Sequence, residues 1–418
     1  MTAVEPVGVA GFLARYEGLR DRLPGDPATR AAAAEAFHRM GLPGRRDEAW
    51  RYTNLRPLAE AAFFEPLSPI ADNQTLEGVP RLAPLRVVFV DGRYRADLSD
   101  PPPSFASFAE AAAFWTIAEV ADHPMVALNT MLAEDGMVLA VPADSDVGVV
   151  QLASLATPAP GRAVGFHPRH VIRLGRGARL ALVETAQGEG AYLHNAVFEV
   201  RLEQGASLSV VRLQDEAPTA FHLSTALAEV EAGAHFESFV LALGARLART
   251  ETRARLIGLG ATVHLGAAQL LGGTQVADVT TVVRHEAPGC ASRQAVKNVL
   301  TGRSRGVFQG RIEVAKAAQK TDGYQMSQAL LLSPDAEVDT KPELEIFADD
   351  VKCSHGATVG ELDPDQLFYM RTRGVPETEA RAILVRAFLA EALEAVANEP
   401  ARHAMEEAVE QWWKRQAA

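Results

Sequence analysis

A glycine–alanine pair recurs along the middle of the chain at Gly177-Ala178, Gly205-Ala206, Gly233-Ala234 and Gly260-Ala261, with spacings of 28, 28 and 27 residues. Each pair lies between β-prone runs, as in Val171-Ile172-Arg173-Leu174 before the first and Leu180-Ala181-Leu182-Val183 after it. A fixed period of this size is the mark of a stacked repeat, in which every unit needs its neighbours to bury an apolar face. One coil of about 28 residues holds two or three short strands, which predicts a parallel β-helix. No helix-length pattern interrupts residues 137–345, so a doubly wound α/β fold is excluded. A β-sandwich with evenly spaced turns is the competing arrangement.

Residues 1–134 read as a mostly helical N-terminal region. Ala31 to Met40 is rich in helix formers, and Gly41 with Pro43 stops it. The aromatics of Glu48-Ala49-Trp50-Arg51-Tyr52-Thr53 suit a helix docked on the body. A proline-rich stretch over 66–103 carries one strand, Leu85 to Val90, ending in a turn at Asp91-Gly92, and 104–133 returns to helix. The β-helix core is assigned to 135–362 and a C-terminal helical region to 363–418. Asp363-Pro364-Asp365-Gln366 is a helix start, and that helix stops at Gly374. A second helix from Pro376 is apolar almost all round (Ile383, Leu384, Val385, Phe388, Leu389), which suits burial in its own chain, as a cap on the solenoid, or against a partner.

Composition removes several functions. The 41 basic and 53 acidic residues leave a net charge of −12, against a nucleic-acid binder that needs a basic face. No run approaches the ~20 apolar residues of a membrane span, and the start lacks the basic-then-apolar order of a signal peptide. With only Cys290 and Cys353 there is no disulfide framework, so a cytoplasmic location is expected. Two thiols also fall short of the four that usually hold an iron–sulfur cluster. Gly-Lys phosphate loops, Gly-x-Ser-x-Gly elbows, His-Glu-x-x-His and Cys-x-x-Cys are all missing. The close pair in His167-Pro168-Arg169-His170 is expected on a surface loop.

One segment concentrates chemistry: Val351-Lys352-Cys353-Ser354-His355-Gly356. Strand alternation puts Cys353 and His355 on one face, with Cα atoms ~6.5 Å apart. A thiolate and an imidazole suit iron or zinc, but two donors do not complete a site. The carboxylates Glu343, Glu345, Asp349, Asp350, Glu361, Asp363 and Asp365 around them read as solvated groups and caps. An acidic cleft on a β-helix would also fit a carbohydrate-active enzyme, a polysaccharide lyase or hydrolase. The absent export signal and 6% aromatic content argue against that alternative.

Several runs carry a resemblance. Lys297-Asn298-Val299-Leu300, Phe308-Gln309-Gly310-Arg311-Ile312, Ala318-Gln319-Lys320-Thr321-Asp322 and Leu330-Leu331-Leu332-Ser333 are similar to the SufB/SufD family of iron–sulfur cluster assembly proteins. So are Lys341-Pro342-Glu343-Leu344-Glu345-Ile346, Asp349 through Gly360, and Leu367-Phe368-Tyr369-Met370-Arg371-Thr372-Arg373-Gly374. Glu48 to Leu55 resembles the N-terminal signature of the SufD branch, and Cys353-Ser354-His355-Gly356 stands where SufB chains show a Glu-His-Glu-Ala-Thr-type run. The resemblance implies a right-handed parallel β-helix between helical regions. It implies a non-catalytic subunit of a SufBCD complex, paired with SufB along the β-helix and with the ATPase SufC through C-terminal helices. It makes the helix around Phe388 a partner-binding helix. It places His355, and with it Cys353, at the SufB interface where a nascent cluster forms, His355 sharing metal with SufB ligands. No cofactor is expected on the lone chain. Flavin in the complex and self-pairing of the isolated chain stay open.

Overall fold

The computed structural model describes residues 6–66, 79–111, 122–159 and 161–417. Its centre is a two-sheet parallel β-solenoid, mainly β as the repeat predicts, with two strands per coil. Strands alternate between an 11-stranded and a 10-stranded sheet, so from Arg169–Leu174 onward each strand pairs with the strand two positions along the chain. In the first sheet Leu193 registers with Phe221, Phe221 with Leu247 and Leu247 with Val276. In the second, Arg179 registers with Ser207, Ser207 with His235 and His235 with Thr262.

The glycine–alanine pairs form one corner of this stack. Gly177, Gly205, Gly233 and Gly260 all have φ between +62° and +70°, a conformation costly for a residue with a Cβ. Each donates its N–H to a carbonyl of the next coil: Gly177 to Gln204, Gly205 to Ala232, Gly233 to Leu259 and Gly260 to Pro288. The alanine that follows each is fully buried in the core between the sheets. The column extends past the recognisable pairs. Asp144, Gly289 and Lys320 also have positive φ and donate to Arg176, Gln319 and Asp350. Cys290 occupies the next alanine position, wholly buried, and Thr321 the one after.

The N-terminal end of the stack is covered. The strand Leu85–Val90 turns at Asp91-Gly92, both at positive φ, and pairs in parallel with Asp146–Ala156; Phe105–Ser107 runs antiparallel to Met137–Val141. Helices α1 (Gly8–Leu19), α2 (Pro27–Met40) and α5 (Pro124–Leu132) bury Phe12, Phe37 and Leu128 with Leu193, Phe221 and Leu247 on the outer face of the first sheet. Between α2 and α5 lie two single turns of helix, α3 (Arg56–Ala59) and α4 (Phe108–Ala111). The Asp26 side chain accepts from the Ala28 and Thr29 N–H groups at the start of α2, and Gly41 at φ +69° ends it. The expected helix over 104–133 is therefore a strand and two helices, with 112–121 outside the described residues. The segment of Trp50 is one 3-10 turn, Glu48–Trp50, rather than a docked helix.

The C-terminal helices α6 (Pro364–Thr372), α7 (Glu377–Glu394) and α8 (Glu399–Ala417) do not cap the stack. α7 and α8 lie along the outer face of the second sheet. Val385, Leu389, Leu393, Met405 and Trp412 pack there against Val211, Leu241, Leu270 and Val299. Lys297 anchors α7: its Nζ donates to the Phe388 carbonyl at 2.7 Å and to Glu391 at 2.7 Å, 4.8 Å from the Phe388 ring centroid. The apolar face of α7 is thus buried against its own chain.

The run from His167 to His170 is not a surface loop. His167, Arg169 and His170 are all buried, because Arg169 meets Glu199 and the side chains of Asn129 and Thr130. Polar residues at that position read as solvated only while their partners, 30 to 40 residues away, are unknown.

Candidate functional site

The last strands of the two sheets, Glu337–Ile346 and Lys352–Gly360, each have a neighbour on one side only. Pro342 sits within the first of them, registered with Gly310, a placement a central strand does not tolerate. Lys352–Gly360 pairs with Asp322–Leu331: Gly323 faces Cys353 and Gln325 faces His355. Strand phase then fixes direction. Gln325 is fully buried and its Nε2 lies 3.5 Å from Gln294 Oε1, so its side chain points between the sheets. His355, directly above it in register, shares that phase but lies on the uncovered coil and is exposed.

Cys353 points the same way and is half-buried, packing beside Ile312 and Val314. A Cβ on Gly323 would stand 3.3 Å from its sulfur, which gives this glycine a packing reason. Burial pushes the Cys353 thiol above its ordinary range, so the thiolate does not form unaided near neutral pH. The same holds for Cys290, whose thiol donates to the Gly258 carbonyl inside the core.

The row beneath His355 changes character along the stack. Leu265 gives way to Gln294, then Gln325, then His355. Thr281 donates to Gln294 from the opposite sheet, and Ser327 and Thr340 meet at 3.2 Å. Gln294 Nε2 and Gln325 Oε1 have no hydrogen-bond partner. This row is thus polar through the last three coils, where Gln294, Gln325 and His355 succeed one another. Among the described residues no third His, Cys or carboxylate converges on Cys353 and His355. A cluster held here needs donors from another chain.

Apolar side chains frame this open end. Phe347 and Phe368 are each 68% exposed, and Ile346, Val359 and Tyr369 are exposed with them. Three of the seven carboxylates have partners of the kind expected of solvated groups and caps. Glu345 pairs with Arg311 at 2.7 Å, Glu343 with Lys341 at 3.0 Å, and Asp363 caps α6.

The N-terminal signature reaches the same end from the side. Trp50 is buried with the Arg249 guanidinium 4.0 Å from its ring centroid. Thr53 donates to Asp278, Gln309 to the Ala49 carbonyl at 3.2 Å, and Lys341 pairs with Glu48 at 2.8 Å. Sequence reasoning picked out Trp50, Gln309 and Lys341 in separate runs but not that they meet. Nothing in their spacing announces it, because the coil register brings them together.

Comparison with known proteins agrees with this architecture. Residues 157–388 match the family model described as SUF system FeS cluster assembly, SufBD core domain. The chain is 34% identical over 374 residues to the iron-sulfur cluster assembly protein SufD of Escherichia coli K12, covering 86% of this chain and 87% of that one. It is 28% identical over 398 residues to a SufBD family iron-sulfur cluster assembly protein of Synechocystis, covering 88% and 86%. A SufBD family protein of Mycobacterium tuberculosis is 27% identical over 278 residues, covering 65% and 70%.

Proposed function

Because the chain belongs to the SufB/SufD family of iron–sulfur cluster assembly proteins, we propose that it is the non-catalytic scaffold subunit of a SufBCD complex. Its solenoid pairs with SufB, and its C-terminal helices contact the ATPase SufC, which hydrolyses ATP. The nascent cluster is cargo at the junction, with His355 offering one imidazole donor and SufB the thiolates. Cys353 lies on the same strand face as a packed neighbour.

The observation that carries this reading is the uncovered last coil. It presents an exposed His355 above a polar interior, two strand edges and an apolar rim of Ile346, Phe347 and Val359. An edge of this kind is a template for another chain's strand. The apolar rim gives a partner surface to bury. No helix of the described residues is long and apolar enough to cross a membrane, which fits assembly in the cytoplasm.

α7 remains the helix proposed to meet SufC, but through the face turned away from the sheet. Ala387 and Arg386 are exposed there, while Val385 and Leu389 are spoken for. Co-expression with SufB and SufC followed by intact-complex mass measurement tests the assignment. A complex holding all three chains is expected. A chain that remains alone, or that degrades acidic polysaccharide, overturns it.

A further inference from the structure

A second constellation lies about four coils from the open end, and no part of the cluster-assembly reading uses it. His194 and His222 stand on adjacent strands of the first sheet, Tyr192–Leu202 and Phe221–Val230, in direct register. Glu216 is the last residue of Ser207–Glu216 in the second sheet. All three are buried, with side chains 1% exposed. His194 Nδ1 lies 3.1 Å from Glu216 Oε1, and His222 Nδ1 lies 2.7 Å from Glu216 Oε2. The ligating atoms of the three side chains all fall within 4.8 Å of one another.

From these residues we infer a binding site for one divalent first-row metal ion of the Zn²⁺ or Fe²⁺ type. The argument begins with spacing. Donors about 2.1 Å from such an ion stand about 3.0–3.4 Å apart at angles between octahedral and tetrahedral. The His194–Glu216 separation of 3.1 Å lies in that range and the His222–Glu216 separation of 2.7 Å just below it, and the whole donor set lies within 4.8 Å, so a rearrangement of the three side chains would seat an ion. The donor set is two imidazoles and one carboxylate, which suits zinc or ferrous iron; oxygen-only cages suit calcium and magnesium, and thiolates suit copper(I).

Hydrogen bonding alone leaves the site incompletely satisfied. His222 Nδ1 is close to the carboxylate yet lacks hydrogen-bond geometry, and the Nε2 atoms of both rings have no partner. A buried carboxylate needs a compensating charge. Gln214 Nε2 donates to Glu216 Oε2 at 2.9 Å, orienting the carboxylate as a supporting amide does behind a metal ligand. A cleft of about 390 Å³ lies beside the cluster, with Glu216, Pro218, Leu243 and Thr274 among its walls. The ion would join two coils and both sheets at one corner of the solenoid.

The test uses the full chain alone, stripped with a chelator and loaded anaerobically with Zn²⁺ or Fe²⁺ without sulfide. One equivalent is expected to survive desalting. X-ray absorption of the loaded wild type should show a nitrogen and oxygen shell with two imidazoles and no sulfur. Glu216→Gln and His222→Gln should each weaken binding by more than about tenfold. The double variant Cys353→Ser/His355→Ala should bind as wild type does. Absence of stoichiometric metal, a sulfur ligand or fewer than two imidazoles overturns the site, and so does loss of metal in the Cys353/His355 variant. The absorption measurement needs no variant to fold. Neither SufB nor SufC is present, so failure here is separate from failure of the assembly role.

Discussion

Glu251→Gln removes one charge from the cluster beneath Trp50. Glu251 is buried and accepts from Arg249 Nη2 at 2.9 Å and from Arg253 Nε at 2.6 Å. Arg249 also reaches Asp278 at 2.5 Å. Burial alone would raise the Glu251 pKa; the two guanidinium groups outweigh it and hold the carboxyl at about 2, against an ordinary value of 4.5. At about 1.4 kcal/mol per pH unit, that difference corresponds to about 3 kcal/mol of native stability. The sign follows from the depressed folded-state value. The contribution is fully present above pH 4.5 and is lost as pH falls toward 2. Linkage with these two values leaves about 2 kcal/mol at pH 3.5 and about 1.4 kcal/mol at pH 3. Urea unfolding of wild type and Glu251→Gln at pH 7 and pH 3 measures the gap at both ends. Glutamine keeps the shape of the side chain, so the loss reads mainly as charge. A variant as stable as wild type at pH 7 refutes the reasoning. So does a gap equally wide at pH 3, since it would then owe nothing to ionisation.

His355→Ala in the co-expressed complex should abolish cluster content while leaving elution volume unchanged, and Cys353→Ala should have the milder effect. Iron with sulfide should leave no stoichiometric cluster absorbance on the lone chain, checked by anaerobic reconstitution. Leu389→Ala empties a fully buried position under α7 and should cost about 2–5 kcal/mol, seen as faster hydrogen exchange in α7 and α8 with the solenoid protected. Deleting everything after Gly374 strips Val211, Leu241, Leu270 and Val299 of their cover, so that chain should bind a hydrophobic dye.

The solenoid was legible because four coils repeat the same solution at one corner, a glycine at positive φ followed by a buried alanine. The column became illegible where Lys320 takes the glycine's place and Cys290 the alanine's. A backbone hydrogen bond fixes that corner, and side-chain identity reports it only loosely. The phase of Cys353 and His355 was also readable, since alternation is local. That they face the inside of an uncovered coil was not, because direction depends on Gln325 and the opposite sheet. The His194, Glu216 and His222 cluster lies at separations of 22 and 6 residues, which match no motif. Register alone brings those side chains together. For α7 the apolar face signals burial, and sequence cannot say whether against its own sheet or against a partner; the structure puts Val385 and Leu389 on the sheet.

The attachment of the N-terminal signature to the far coils sets an order of events during synthesis. Glu48 and Trp50 leave the ribosome early, and their partners follow one after another, Arg249 first, then Asp278 and Gln309, and Lys341, 293 positions after Glu48, after those. At roughly 5–20 residues per second the wait is about 15–60 s. Trp50 gains its guanidinium first and Thr53 its carboxylate next, while Glu48 waits the full interval for Lys341. Complete docking of the signature therefore marks a nearly finished solenoid, and a chain stalled before its final coils leaves Glu48 and the Ala49 carbonyl without their partners Lys341 and Gln309.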